Sequence, residues 1–227
     1  MIEPNEGWIV IPAFNEASMV GDVVRRVREW YGNVVVVDDC SRDNTSQQAR
    51  DAGAEVVRHV VNLGQGAAIQ TGIDFALRHG ARAVVTFDAD GQHSASDVQN
   101  MIEVQRETGA DVVLGSRFSG NTVGISSARR LLLKAAIVFT WLTSGIRLSD
   151  AHNGLRLLTS HAARRIRITQ NRMAHASEII DQIGRIGLNF AEAPCTVTYT
   201  DYSMRKGQSC LGALRILVDL IMARAAK

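Results

Sequence analysis

The chain has 227 residues with 25 basic and 23 acidic side chains, a net charge of +2 that supplies no global basic field for nucleic acid. That length can bury one sizeable core, and no Pro-, Gly- or Ser-rich linker divides it. The three cysteines, Cys40, Cys195 and Cys210, show no CxxC spacing and cannot all pair, which argues against a disulfide framework and a zinc site and for a reducing cytosol.

Met1 to Glu6 contain no charged-then-apolar leader, so secretion is not expected. Trp8–Ile11 opens a series of short apolar, β-branched runs that continues with Val34–Val37, Glu55–Val57, Ala83–Val85 and Val112–Leu114. Each reads as a strand buried on both faces. Between them the period changes to that of a helix. Val20, Val23, Val24 and Val27 share one face while Asp22, Arg25, Arg26 and Glu29 take another. Ala67–Arg78 and Val98–Thr108 read similarly, with Ser96 as the expected cap of the latter. Strand and helix in alternation predict an α/β fold: a mostly parallel, Rossmann-like sheet with helices on both faces.

Further on, Leu131–Ile146 is apolar but broken by Lys134, and it is shorter than the roughly 20 apolar residues that span a bilayer. With basic residues around it, this run suits either a lipid interface or a core or oligomer helix. In 211–227, Leu214, Leu217, Val218 and Ile221 lie on one helical face, and Arg215 and Asp219 can pair on another. We read one domain over 1–210 and an amphipathic helical extension over 211–227. Docking on the domain is the default for that helix, with pairing in a homo-oligomer and contact with lipid as the other choices.

Ligands of such sheets bind beyond the carboxyl ends of the strands. Four of the five runs are followed there by polar residues: Asn15-Glu16, Asp38-Asp39, Asp88-Ala89-Asp90 and Ser116-Arg117. Neither GxGxxG nor GxxxxGK[ST] is present, so neither a dinucleotide site nor a P-loop is supported. In extended geometry Asp88 and Asp90 point the same way and could hold one hard divalent cation bound to a diphosphate, with Gln92 as a further oxygen donor. Magnesium and manganese both fit that donor set. A polar turn capped by Ser94 and Ser96 is the plain alternative.

The ordered motifs IPAFNE, VVVVDDCSRDNT, NLGQGAAIQTG, FDADGQH, GSR and DAHNGLR resemble the signatures of family 2 glycosyltransferases. The likeness runs from Trp8 to about Ser209 and is strongest to the dolichyl- and polyprenyl-phosphate sugar transferases. It implies a GT-A fold, a nucleotide-sugar donor (GDP- or UDP-linked), a divalent cation (Mg2+ or Mn2+) and inversion at the anomeric carbon. By the same resemblance Pro12, Ala13, Asn15 and Glu16 match the first donor loop, and Asp38 and Asp39 the pair that recognises ribose and base. Asp88, Ala89 and Asp90, helped by Gln92, match the metal and diphosphate site. Arg117 and Arg129, with Lys134, become the candidates for holding a polyprenyl phosphate acceptor. Arg205 and Lys206, before a Gly207 hinge, would close over the donor diphosphate.

Asp150 matches the family's acceptor-side carboxylate. A hydroxyl acceptor needs a base, and Asp150 is the candidate; a phosphate acceptor needs none, and Asp150 would then position a basic residue or the sugar. His93 and His152 read as hydrogen-bonded imidazoles rather than metal ligands. The expected activity is transfer of a sugar to a polyprenyl phosphate at the cytoplasmic membrane face, through peripheral contact. Transfer to a saccharide hydroxyl in cell-envelope synthesis, and a non-catalytic nucleotide-sugar binding module, are the other readings.

Overall fold

A computed structural model describes residues 6–119, 122–123, 134, 137–138, 141, 144–150, 153–171 and 174–198. Five strands arise where the apolar runs predict them: β1 (Gly7–Ala13), β2 (Val34–Asp38), β3 (Glu55–Arg58), β4 (Ala83–Thr86) and β5 (Val112–Ser116). Helices α1 (Val20–Arg28), α2 (Thr45–Asp51), α3 (Gln65–Arg78) and α4 (Ala95–Thr108) connect them. A short strand β6 (Thr122–Val123) follows, then β7 (Arg156–Thr159), α5 (Ser160–Arg165), α6 (His175–Ile186), β8 (Phe190–Pro194) and β9 (Val197–Thr198).

The main sheet has the order β3-β2-β1-β4-β7-β5-β8, and β6 pairs with β9 apart from it. β7 runs antiparallel to both neighbours, β4 and β5, while the other pairings in the main sheet are parallel. β1, β2, β3, β4 and β5 therefore point the same way, and their carboxyl ends share one edge.

Alternation along the strands builds two cores. Ile9, Ile11, Val34, Val36, Ala83 and Val85 face one side and pack with the valine stripe of α1 and with Val98, Met101 and Ile102 of α4. Trp8, Val10, Val35, Val37 and Val84 face the other, against α3 (Ala68, Ile69, Ile73), α5 (Ala162, Ala163) and α6 (Ile179, Ile180, Ile183). A strand covered on both faces needs apolar residues at every position, which is why these runs carry no polar alternation.

Two expectations are corrected. β3 is not buried on both faces: it is the sheet edge, with Glu55 and Arg58 exposed and Val56 and Val57 half-buried. The cap of α4 is Ser94 rather than Ser96, because the helix begins at Ala95 and the Ser94 hydroxyl accepts from the Ser96 N–H at 3.3 Å. Among the described residues no helix is long and apolar enough to cross a membrane. The extension over 211–227 lies outside the described residues, as do parts of the 131–146 run, where Val138 and Trp141 are exposed.

Candidate active site

Pro12 and Ala13 are the last residues of β1, buried and in register with Val37 and Asp38. The chain then turns sharply, with Asn15 at φ 53° and Cys40 at φ 64° in the facing loop after β2. Positive φ strains non-glycine residues, and here a lattice of bonds holds it. Asn15 N–H donates to Ser41 Oγ at 2.9 Å, Asn15 Oδ1 accepts from Arg42 N–H at 2.8 Å, and Glu16 N–H donates to Thr45 Oγ1 at 2.8 Å.

Asp38 and Asp39 split their tasks. Asp38 is wholly buried and folds its own loop, accepting from Ser41 N–H at 2.8 Å and from the Ser46 hydroxyl of α2. Asp39 turns toward the loop after β3, accepting from Leu63 N–H at 2.8 Å and Gly64 N–H at 2.7 Å. His59 Nδ1 lies 2.8 Å from Asp39 Oδ1 and its Nε2 lies 2.9 Å from Thr71 Oγ1. The glycine-rich helix entry is thus tied to the second loop by Asp39.

Beyond β4, Asp88, Ala89 and Asp90 form the turn. Ala89 is buried, and the two carboxylates remain about a third exposed or less. Asp88 accepts from Gln65 Nε2 at 3.2 Å, and its Oδ2 lies 3.3 Å from His93 Nε2. Burial alone would raise the Asp88 carboxyl, but the His93 hydrogen bond and the charges of His93, His175 and Arg156 outweigh it and hold Asp88 below the usual range. Asp90 is pushed up to about 6, first by burial and then by the charge of Asp88, with Glu16 adding to the push and the Gln92 N–H and His93 opposing it. Gln92 N–H reaches Asp90 Oδ1 at 3.0 Å.

These residues fit a divalent cation. Two neighbouring carboxylates, one kept ionised and one resisting ionisation through burial and then its neighbour's charge, make a site that a dication would balance. Asp88, Asp90 and Gln92 offer only hard oxygen donors. Among the described residues no group of three or more His, Cys, Asp or Glu side chains could enclose an ion, so further ligands would be diphosphate oxygens and water.

At the end of β5, Arg117 is buried. Its Nε donates to Asp150 Oδ2 at 2.6 Å and its backbone N–H to the same oxygen at 3.2 Å. The candidate base is therefore part of a buried ion pair. Lys134 is exposed on a helical segment, and Arg129, His152, Arg205, Lys206 and Gly207 lie outside the described residues.

Three contributors escape sequence reasoning. Arg156, inside the DAHNGLR motif, is buried on β7 with Nε donating to Asn153 O at 3.1 Å. Burial draws its guanidinium down to about 10, against the pull of Asp88 and Asp150, so it stays charged at neutral pH. His175, the first residue of α6, reaches Asp88 electrostatically only because the second half of the chain folds back. Gly154 lies so close that a Cβ there would sit 2.1 Å from Asp88 Oδ2. Gly154 and Arg156 both stood in a legible motif without a role read for either; His175 carried no local signal.

The family model "Glycosyl transferase family 2" matches residues 8–167. The chain belongs to this family. It is similar to the UDP-N-acetylglucosamine–dolichyl-phosphate N-acetylglucosaminyltransferase of Methanococcus voltae, 28% identical over 97% of this chain and 96% of that one. It is also similar to the polyprenol monophosphomannose synthase of Mycolicibacterium smegmatis, 29% identical over 87% and 79% of the two chains. Among solved structures, glucosyl-3-phosphoglycerate synthase from Mycobacterium tuberculosis, crystallised with Mn2+, UDP-glucose and phosphoglyceric acid, superposes with a TM-score of 0.71. That pair is 17% identical, covering 95% of this chain and 78% of that one, and the likeness shows the shared GT-A fold. This family 2 member is thus a glycosyltransferase, and the mixed sheet is the frame that carries its loops.

Proposed function

We propose that the enzyme moves a sugar, with inversion, from a uridine or guanosine diphosphate sugar to a polyprenyl phosphate. In the step, a phosphate oxygen of the acceptor forms a bond to the anomeric carbon of the donor sugar from the face opposite the leaving diphosphate. The bond from that carbon to the diphosphate oxygen breaks, and the nucleoside diphosphate leaves with the electron pair.

The observation that carries this reading is the Arg117–Asp150 ion pair. A hydroxyl acceptor must lose a proton to a base, and Asp150 is committed to Arg117 through two bonds to one oxygen. A phosphate monoester needs no base near neutral pH; it needs alignment and a counter-charge. Arg117 would supply that charge, with Arg129 and Lys134 as further acceptor-phosphate candidates. The polyprenyl- and dolichyl-phosphate enzymes among its relatives support the same acceptor. Asp39 and the Asn15–Glu16 loop would hold the nucleoside, and Arg205 and Lys206 would close over the diphosphate. A Mg2+ or Mn2+ ion held by Asp88, Asp90 and Gln92 would supply charge neutralisation at the leaving diphosphate. The exposed Val138 and Trp141 suit peripheral contact with the membrane that holds the lipid.

The test is transfer of labelled sugar from a panel of UDP- and GDP-sugars to a polyprenyl phosphate in detergent. An acid-labile product that partitions into organic solvent is expected. A product formed only with saccharide acceptors would replace this reading with hydroxyl transfer, and binding without turnover would leave a binding module.

A further inference from the structure

Asp150 grips Arg117, but Asp150 sits in a turn, without helix or strand to fix it. What fixes it comes from β8. Glu192, opposite Leu114 in the parallel register between β5 and β8, aims its half-buried carboxylate at this turn. Ser149 N–H donates to its two oxygens at 2.9 and 3.0 Å, Ser149 Oγ donates at 2.8 Å and Asp150 N–H at 3.3 Å. Ser149 Oγ also lies 2.5 Å from Ser116 Oγ and 3.2 Å from Ser119 Oγ, and so ties the turn to the residues on either side of Arg117.

From these contacts we infer that Glu192 is a positioning residue for the acceptor phosphate, acting through the Ser149–Asp150 turn to fix the Arg117 guanidinium. The inference rests on the proposed use of Arg117 as an acceptor-phosphate ligand. Its physical basis is the donor set: Glu192 Oε1 accepts from the Ser149 N–H, the Ser149 hydroxyl and the Asp150 N–H, Oε2 shares the Ser149 N–H, and a carboxylate meets all of them without presenting a donor of its own. An arginine side chain has long torsional freedom, and ordering it in advance spares that entropy when phosphate binds. Glu192 orders Asp150, Asp150 holds Arg117 at Nε and at the backbone, and the guanidinium meets the acceptor in one orientation.

The chemistry selects the test variant. In Glu192→Gln an NH2 donor replaces one acceptor oxygen and faces the Ser149 N–H, so the turn loosens while side-chain volume is kept. The expected result is a rise of about tenfold in KM for polyprenyl phosphate, with kcat and the KM for nucleotide sugar within about twofold of wild type, the pattern of lost ground-state binding at one substrate. In an Arg117→Ala background the same change should add nothing, since both act through one guanidinium. A general loosening of the fold would instead lower kcat, raise both KM values and add to Arg117→Ala.

A second measurement needs no substrate. In protein labelled with 15N-arginine, the Arg117 Nε–H should exchange slowly with water in wild type and faster in Glu192→Gln. If wild type does not use polyprenyl phosphate but this exchange responds, the relay stands and the proposed acceptor falls. If exchange and acceptor KM are both unchanged in the folded variant, the relay is wrong. Should Glu192→Gln not fold, Ser149→Ala, which removes the hydroxyl bonds and keeps the backbone, is put through both measurements with the same expected outcomes.

Discussion

Asp88 and Asp90 stand one residue apart, yet their surroundings pull them in opposite directions. His93, His175 and Arg156 keep Asp88 ionised, while Asp90 pays for burial beside a charge it cannot cancel. Asp90→Ala should therefore leave the fold intact and lower turnover by at least about 100-fold, the scale of losing a direct stabiliser of developing charge. Wild-type turnover in that variant, or in wild type with excess chelator, would sink the metal role. Gly154 makes a sharper probe because it has no side chain to lose. Its carbonyl accepts from Thr86 Oγ1 at 2.6 Å, so the backbone is pinned, and a Cβ placed 2.1 Å from Asp88 Oδ2 must displace the carboxylate. Gly154→Ala should cut the rise in melting temperature given by Mn2+ with nucleoside diphosphate and slow transfer at least about tenfold. A full Mn2+ response would show that Asp88 needs no fixed position. In sequence the DAD spacing reveals the carboxylates and DAHNGLR places a glycine at 154, but no local spacing reveals that this glycine meets Asp88, since the contact spans β4 and the approach to β7.

Between elements the same logic governs packing. α3 lies close on the sheet because Gly72 faces Val10, where a Cβ would come within 2.2 Å of Val10 Cγ1. Gly72→Ala should cost about 1–3 kcal/mol, the range for overpacking a dense core, read as a lower midpoint in chemical denaturation. An unchanged midpoint would mean that α3 can shift outward freely. Strands β1, β2, β4 and β5 and helices α1, α3 and α4 were legible because burial on two faces, or on one stripe, writes its period directly into the sequence, whereas the apolar pair Val56-Val57 gave β3 its place but not its edge position. α2 escaped: Thr45–Asp51 is polar, with only Thr45, Ser46 and Ala49 buried, and so shows no apolar stripe. β7 was hidden for another reason. Arg156 opens a strand that is otherwise Leu157-Leu158-Thr159, too short and too mixed to declare itself, and its antiparallel course follows from a reversal that no local spacing encodes. That inserted strand carries Arg156 between β4 and β5, and so sets a buried positive charge that both Asp88 and Asp150 feel.

For the molecule as a whole, the site carboxylates link stability to pH, and the sign differs between them. Asp88, held below its usual range, contributes stability that is present above about the ordinary carboxylate value of 3.8 and is lost as pH falls through its own lower value. Asp90, raised to about 6, does the reverse: its contribution is complete below 3.8 and is lost as pH rises through about 6. Asp97, also raised by burial, acts in the same sense as Asp90. Between pH 4 and about 6.5 the metal-free protein should therefore carry a destabilising term that grows with pH, and Asp90→Asn should remove the larger part, leaving that of Asp97. A dication binds the ionised pair, so its stabilisation should grow over the same interval. Melting curves at pH 5 and pH 7.5, with and without Mn2+, separate the two effects. The Mn2+-induced shift should be small at the lower pH and larger at the higher, and Asp90→Asn should flatten that difference. A shift of equal size at both, or one untouched by Asp90→Asn, would place the ion on other groups and detach the stability of the fold from the charge balance at the tip of β4.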